Sequence, residues 1–211
     1  MSGISLNVSA TLHSSRANGP GRRAVIWVQG CTLGCPGCYN SSTHSHSPNR
    51  LVPVEELASW LSSINDIEGV TFSGGEPFEQ ARAVYEVIRI AKKQRGDLSV
   101  FAFTGFTLSE LHSSDDEYVH SLLSSVDMLS SGRYEYENRD SGLLWRGSSN
   151  QTLEYLTGRY SKEMEDFWLE DSPVEEVIIR SEDSFRTGFL GNRGPLNRIT
   201  RKLGLRLPIR D

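Results

Sequence analysis

Apolar positions along the chain fall into short runs separated by longer amphipathic stretches. Residues 24–28, AVIWV, are apolar and largely β-branched, which predicts a buried strand ended by Gly30. Pro53 then opens a helical segment in which Val54, Leu57, Ala58, Leu61 and Ile64 recur on one face. A second strand is predicted over 69–73, GVTFS, and runs into Gly74-Gly75-Glu76-Pro77. A helix follows over about 78–94, with Val84, Val87, Ile88 and Ala91 on one face. Residues 98–103, LSVFAF, form a third strand-like run closed by Gly105, and Thr107 and Glu110 have the spacing of a capping box for the next helix. Residues 126–129 and 175–180 predict a fourth and a fifth strand.

Strands alternating with helices predict an α/β fold with a mainly parallel sheet. No internal repeat and no linker divides the chain, so 1–211 reads as one domain. In such sheets the chemistry gathers beyond the carboxyl ends of the strands. The cysteine loop follows the first strand, the Gly-Gly-Glu-Pro run the second, Thr104-Gly105 the third and Ser131-Gly132-Arg133 the fourth. One face of one sheet would therefore collect them.

Composition changes this picture little. A net charge of -5 gives no general reason to expect nucleic-acid binding. No segment reads as a membrane span or a secretory signal, so a cytoplasmic protein is expected. Charge is unevenly placed, however. Residues 186–211 hold seven basic residues and one acidic one, while 163–183 are rich in Glu and Asp. Such runs read as a solvated tail on an acidic surface or as a docking surface for a partner.

The three cysteines lie within eight residues, as Cys31-Thr-Leu-Gly-Cys35-Pro-Gly-Cys38. An odd, tight cluster is a poor disulfide framework and points to metal or redox chemistry. Three thiolates on a short loop can hold three irons of a cubane and leave the fourth iron open. Gly34, Gly37 and Pro36 suit a loop bent around an inorganic cluster. The same thiols with His44 or His46 would instead make a structural Cys3His zinc site.

CxxxCxxC after a first strand, with GGEP after the second, resembles the radical S-adenosylmethionine superfamily. Residues 19–40, GPGRRAVIWVQGCTLGCPGCYN, are similar to the activating proteins of anaerobic ribonucleotide reductase and to other glycyl-radical activases. Residues 142–151, GLLWRGSSNQ, resemble a WRGS-x-NQ stretch of the reductase activators, and the resemblance spans about 18–151, leaving about 152–211 as a C-terminal extension. It implies a partial (β/α) barrel with the cluster loop after the first strand. It also implies a [4Fe–4S] cluster on Cys31, Cys35 and Cys38 whose open iron binds S-adenosylmethionine. Reductive cleavage would give a 5′-deoxyadenosyl radical, used to install a glycyl radical on a protein partner such as anaerobic ribonucleotide reductase. A one-electron donor of the flavodoxin or ferredoxin kind would be needed.

By the same resemblance, Gly74, Gly75, Glu76 and Pro77 match the motif that contacts the methionine amino group, and Thr104 and Gly105 match a turn near the cofactor. Arg146, Ser148, Ser149, Asn150 and Gln151 match the late motif. Arg146, and with less support Arg133, are candidates for the cofactor's carboxylate, because Arg can clamp one bidentately. Tyr39 and Asn40 directly follow the last ligand and are placed at the cofactor or cluster. The chain departs from the activators at Ser131-Gly132, where they read Asp-Gly, and no cysteine remains for a second cluster. The altered motif and the extension keep a second reading open, a radical enzyme acting directly on a small molecule or peptide. A non-catalytic zinc-binding protein is the third.

Overall fold

The computed structural model describes residues 3–140, 142–172, 175–179 and 184–188. In chain order these form β1 (Ser5–Ser15), β2 (Arg23–Val28), β3 (Arg50–Pro53), α1 (Val54–Ser63), β4 (Gly69–Gly74), α2 (Ala81–Gln94), β5 (Ser99–Phe103), α3 (Leu108–His112), α4 (Glu117–Leu123), β6 (Met128–Ser131), β7 (Thr152–Tyr155), α5 (Glu165–Asp171), β8 (Glu175–Ile179) and β9 (Ser184–Gly188). A seven-stranded sheet has the order β3-β1-β2-β4-β5-β6-β7. Its centre, β2-β4-β5-β6, is parallel, while β1, β3 and β7 are added antiparallel at the flanks. The chain is thus a mixed α/β protein around a parallel core.

Alternation along the central strands explains their continuous apolar runs, because both sheet faces are covered. Ala24, Ile26 and Val28 pack with Val100, Ala102 and Leu129 against the buried faces of α1, α2 and α4. Val25 and Trp27 point the other way, as do Phe101, Met128 and Trp145. That second face is covered by the chain beyond β6, including Tyr160 and Trp168.

The amino ends of the central strands are locked by Arg23, whose side chain is fully buried. Its guanidinium donates to Thr71 Oγ1 (3.0 Å), Ser99 Oγ (2.9 Å) and the carbonyls of Pro20 (3.0 Å) and Val70 (2.9 Å). One cation thereby ties the loop before β2 to β4 and β5. At the opposite end of β5 the Thr107 capping box forms as its spacing predicts, with Glu110 N donating to Thr107 Oγ1 and Thr107 N to Glu110 Oε2. Thr107→Ala is expected to cost about 1 kcal/mol in a urea unfolding curve. An unchanged midpoint would mean that the short α3 is held by packing alone.

The predicted fourth strand is displaced by two residues. Val126 is buried, but pairing with β5 begins only at Met128, because the Asp127 carboxylate accepts from Val100 N (2.8 Å) instead. The fifth predicted strand exists over Glu175–Ile179 but does not join the main sheet. β7 takes the place beside β6, and β8 pairs with β9 as a separate antiparallel hairpin. The basic tail beyond residue 188 lies outside the described residues.

Candidate active site

Four turns leave the carboxyl ends of β2, β4, β5 and β6 and meet around one cavity of about 530 Å³. The first is the cysteine loop. Gly30 N donates to Thr43 O (2.8 Å) and Cys31 N to His44 O (3.0 Å), so the loop returns to its own root. Within it, Cys38 N donates to Cys35 O (3.2 Å). Gly34 and Gly37 take positive φ values of 59° and 69°, which L side chains rarely adopt. Cys31, Cys35 and Cys38 are free, half-buried and line the cavity.

Burial pushes the thiols of Cys31 and Cys38 up from their ordinary values, with backbone hydrogen bonds only partly opposing it. Thiolates at these positions therefore call for a positive charge to stabilise them, which iron supplies. Three such thiols on one loop, facing an open cavity, fit a cluster with one iron left free. His44 lines the cavity, while His46 Nε2 lies 3.4 Å from Glu79 Oε2. Among the described residues, no three His, Cys, Asp or Glu side chains converge on a position for a single ion.

The second turn is stitched to the first. Gly75 N donates to Val28 O and Glu76 N to Gly30 O, both at 2.8 Å. The Glu76 carboxylate, 1% exposed, turns toward the third turn. It accepts from Gly105 N (2.8 Å), Thr104 Oγ1 (2.9 Å) and Phe78 N (2.9 Å). Its pKa is pushed up to about 7, chiefly by burial and against those hydrogen bonds. A folded value above the ordinary 4.5 means that the folded state holds this proton more tightly than the unfolded chain. Stability of the cluster-free protein should therefore fall as pH rises from about 4.5 to about 7 and then level off. Relative to Glu76→Gln, the loss should approach ~3 kcal/mol at 1.36 kcal/mol per pKa unit. Parallel urea midpoints for the two proteins across that range would show that the carboxylate is not raised.

Gly74, Gly75, Glu76, Thr104, Gly105, Tyr39 and Asn40 all line the cavity. Tyr39 meets Tyr134 edge-on at 5.1 Å, with the Arg139 guanidinium 5.3 Å from its ring centroid. Three expected residues are placed elsewhere. Pro77 is buried at the start of the turn into α2 and is not among the lining residues. Arg133 pairs with Glu110 at 2.9 Å over the Phe106 ring. Arg146 donates to Leu144 O (3.2 Å) and lies 3.8 Å from Glu165. From the late motif Gly147 and Gln151 line the cavity, and Gln151 accepts from Gly147 N (2.7 Å) while donating to Gly132 O (2.7 Å). Ser148 Oγ accepts from Glu135 N, and Asn150 donates to Arg133 O. Ser131 is buried and shares a hydrogen bond with Thr152 Oγ1 (2.9 Å), so its side chain serves the β6–β7 edge.

Sequence reasoning missed several contributors. Glu79 Oε1 accepts from both Thr32 N (2.9 Å) and Thr32 Oγ1 (2.5 Å), anchoring the cysteine loop to the turn before α2. A single acidic residue in a helical first turn carries no signal of this. Trp27 and Asn18 line the cavity from β2 and the loop before it, and Arg186, Thr187 and Gly188 line it from β9.

A loop of three free thiols, placed where parallel strands end and opening on a ligand-sized cavity, defines an iron–sulfur protein of the single-cluster kind. The chain belongs to the 4Fe-4S single cluster domain family, whose profile matches residues 17–154. It is similar to the anaerobic ribonucleoside-triphosphate reductase-activating protein of Vibrio cholerae, with 36% identity over 146 residues, 66% of this chain and 92% of that protein. The protein of the same description from Escherichia coli K12 is 30% identical over 149 residues, with the same two coverages. That of Enterobacteria phage T4 is 34% identical over 141 residues, covering 64% and 85%.

Proposed function

We propose that this chain is a radical S-adenosylmethionine enzyme that installs a glycyl radical on an anaerobic ribonucleoside-triphosphate reductase. The observation that carries the reading is the placing of all three free thiols and the Gly74-Gly75-Glu76 turn on one cavity, in a chain whose relatives are named as activators of that reductase. Cys31, Cys35 and Cys38 would hold the cluster. When bound, it would pass one electron to the sulfonium of S-adenosylmethionine, releasing methionine and a 5′-deoxyadenosyl radical that takes a hydrogen atom from a glycine Cα. The backbone of Gly74, Gly75 and Glu76 would receive the methionine end. The Glu76 carboxyl would act by holding Thr104 and Gly105 in place. Tyr39 and Asn40 would flank the last ligand, and Trp27 and Phe103 would help keep water from the reacting atoms.

In this reading the chain is a single domain, 1–211, with its core at about 18–151 and an extension at about 152–211, and the sheet curves as a partial (β/α) barrel. It works in the cytoplasm with an electron donor of the flavodoxin or ferredoxin kind and takes neither nucleic acid nor membrane as partner. Among the described residues, no helix is long and apolar enough to cross a membrane.

The test is anaerobic reconstitution with iron and sulfide, reduction, addition of S-adenosylmethionine and assay for 5′-deoxyadenosine, followed by electron paramagnetic resonance of the reductase. A glycyl radical that requires both proteins is the expected result. 5′-Deoxyadenosine without any radical on the reductase would favour direct action on a small molecule or peptide, the reading for which the hairpin in the cavity wall speaks. Absence of 5′-deoxyadenosine would overturn both.

A further inference from the structure

Between β6 and the late motif the chain makes one short helical turn, Tyr136–Asn138, which contains no buried residue. A lone turn makes too few hydrogen bonds to hold itself. The late motif holds it instead. Ser148 Oγ accepts from Glu135 N (3.1 Å), Ser149 N donates to Asn138 O (2.8 Å) and Asp140 N donates to Gly147 O (3.2 Å). Arg139 is also bridged to Ser148 in antiparallel fashion.

Held this way, the segment sets two rings on the cysteine loop, one on each chain neighbour of Cys38. Tyr134 meets Tyr39 edge-on, and Gly147 backs the pair so closely that a Cβ there would lie 2.8 Å from Tyr39 and 3.0 Å from Tyr134. Tyr136 lies on Gly37. A Cβ at Gly37 would stand 2.7 Å from the Tyr136 ring, so the ring takes the side on which any other residue would carry a side chain. The positive φ of Gly37 keeps that side bare, and Tyr136 supplies the missing side chain from a hundred residues away. Tyr136 is otherwise 57% exposed, so it rests on the turn and meets water beyond it.

The place matters because a cluster on these thiols, however it is turned, is bonded to the sulfurs of Cys35 and Cys38, and the backbone between them is part of its wall. The potential of such a cluster depends on hydrogen bonds to its sulfurs and on solvent exposure. Cys38 Sγ already accepts from Asn40 N (3.4 Å). Reduction adds negative charge, which water stabilises better than an aromatic ring does. Covering the turn therefore keeps the potential low and makes the reduced cluster the stronger electron donor.

We infer that Tyr136 is a positioning residue whose ring covers the Cys35–Cys38 turn, lowering the reduction potential of the cluster and slowing the loss of its iron. This rests on the reading of the three thiols as cluster ligands given under the proposed function. It gives Ser148 and Ser149 of the late motif a task, which is to hold that cover in place.

The test uses the full-length, cluster-loaded protein with Tyr136→Ala and Tyr136→Phe. Phe167→Ala serves as the control, since it removes a comparably exposed ring from α5. Two quantities are measured without oxygen: the midpoint potential in a dye-mediated titration, and the rate at which a ferrous chelator extracts iron. Tyr136→Ala removes a mostly exposed side chain and should load iron and unfold in urea as wild type does. Its potential should rise, so that several-fold more of it is reduced at the wild-type midpoint, and its iron should be extracted several-fold faster. Tyr136→Phe and Phe167→Ala should match wild type in both. Wild-type potential and extraction rate in Tyr136→Ala overturn the proposal. So does an equal change in Tyr136→Phe, which would assign the effect to the hydroxyl, or in Phe167→Ala, which would make it a general loosening. Failure of Tyr136→Ala to take up iron at a wild-type urea midpoint overturns it too, because the ring would then act in assembly and not as a cover. Neither quantity needs S-adenosylmethionine or the reductase. Wild-type protein that loads iron but forms no 5′-deoxyadenosine therefore overturns the functional reading and not this inference.

Discussion

Replacing Cys35 by Ala is expected to abolish 5′-deoxyadenosine formation, a loss of at least about a thousandfold, while leaving the cluster-free fold intact. Thiolates are the protein's ligands to such clusters, and a cubane held through three corners by one loop has no spare donor when one is removed. Of the two nearby histidines, His44 lines the same cavity as the thiols. His46 is beside Glu79, and the Glu79 carboxylate already accepts twice from Thr32. Cys35 is only partly buried and contributes no core packing, so the far-ultraviolet circular dichroism and urea midpoint of the cluster-free variant should match wild type. Iron and sulfide content per chain, measured after reconstitution, should fall with the activity. His44→Ala and His46→Ala serve as the counter-test. Both should retain iron, and a variant that lost bound metal only when a histidine was removed would restore the Cys3His zinc reading.

The parts of the site that were legible in the sequence are those where chemistry and backbone geometry demand particular residue types close together. Cys31, Cys35 and Cys38 stand out because three cysteines in eight residues make a poor disulfide framework and point to metal or redox chemistry. The parallel strands could be read because burial on both faces makes them continuous apolar runs. β1 escaped for the opposite reason. Leu6, Val8 and Leu12 keep even spacing, but a register shift between Val8 and Ala10 sends Leu6 and Val8 to the helical face and Leu12 to the other. A bulge reverses the sense of alternation, and nothing in the residue types announces it. The two arginines take partners that the sequence did not announce, Glu110 for Arg133 and Glu165 for Arg146. A motif fixes residue type, not the side of the loop that a side chain takes. Trp145 adopts a φ of 46°, held by Ser130 Oγ donating to Trp145 O (2.7 Å) and by packing on Phe101 and Trp168. Past that bend, Gly147 and Gln151 line the cavity while Arg146 goes to Glu165.

The second large effect needs no change to any ligand. Gly75→Ala is expected to destabilise the cluster-free protein by about 3 kcal/mol or more, the upper range for overpacking, because only backbone stands in the way. A Cβ there would lie 2.1 Å from Gly30 O, 2.8 Å from Gly30 C and 3.0 Å from Gly30 N. Gly30 is the residue before Cys31, and it is bound to the second turn through Glu76 N. Relief of the clash must move the root of the cysteine loop away from β4 or open the β2–β4 end. Cluster loading should therefore fall several-fold with all three cysteines present, and the urea midpoint should fall with it. Gly158→Ala is the matched control, since a Cβ at that position meets nothing within 4 Å. If Gly75→Ala unfolded at the wild-type midpoint and loaded iron normally, the close approach of the two turns would be refuted. The geometric case for one cavity shared by the thiols and the Gly74-Gly75-Glu76 turn would then fail with it. If iron loading fell while the midpoint held, the turn would matter for placing the ligands and not for the fold, and the several-fold loss would measure how far the second strand's turn shapes the first strand's chemistry.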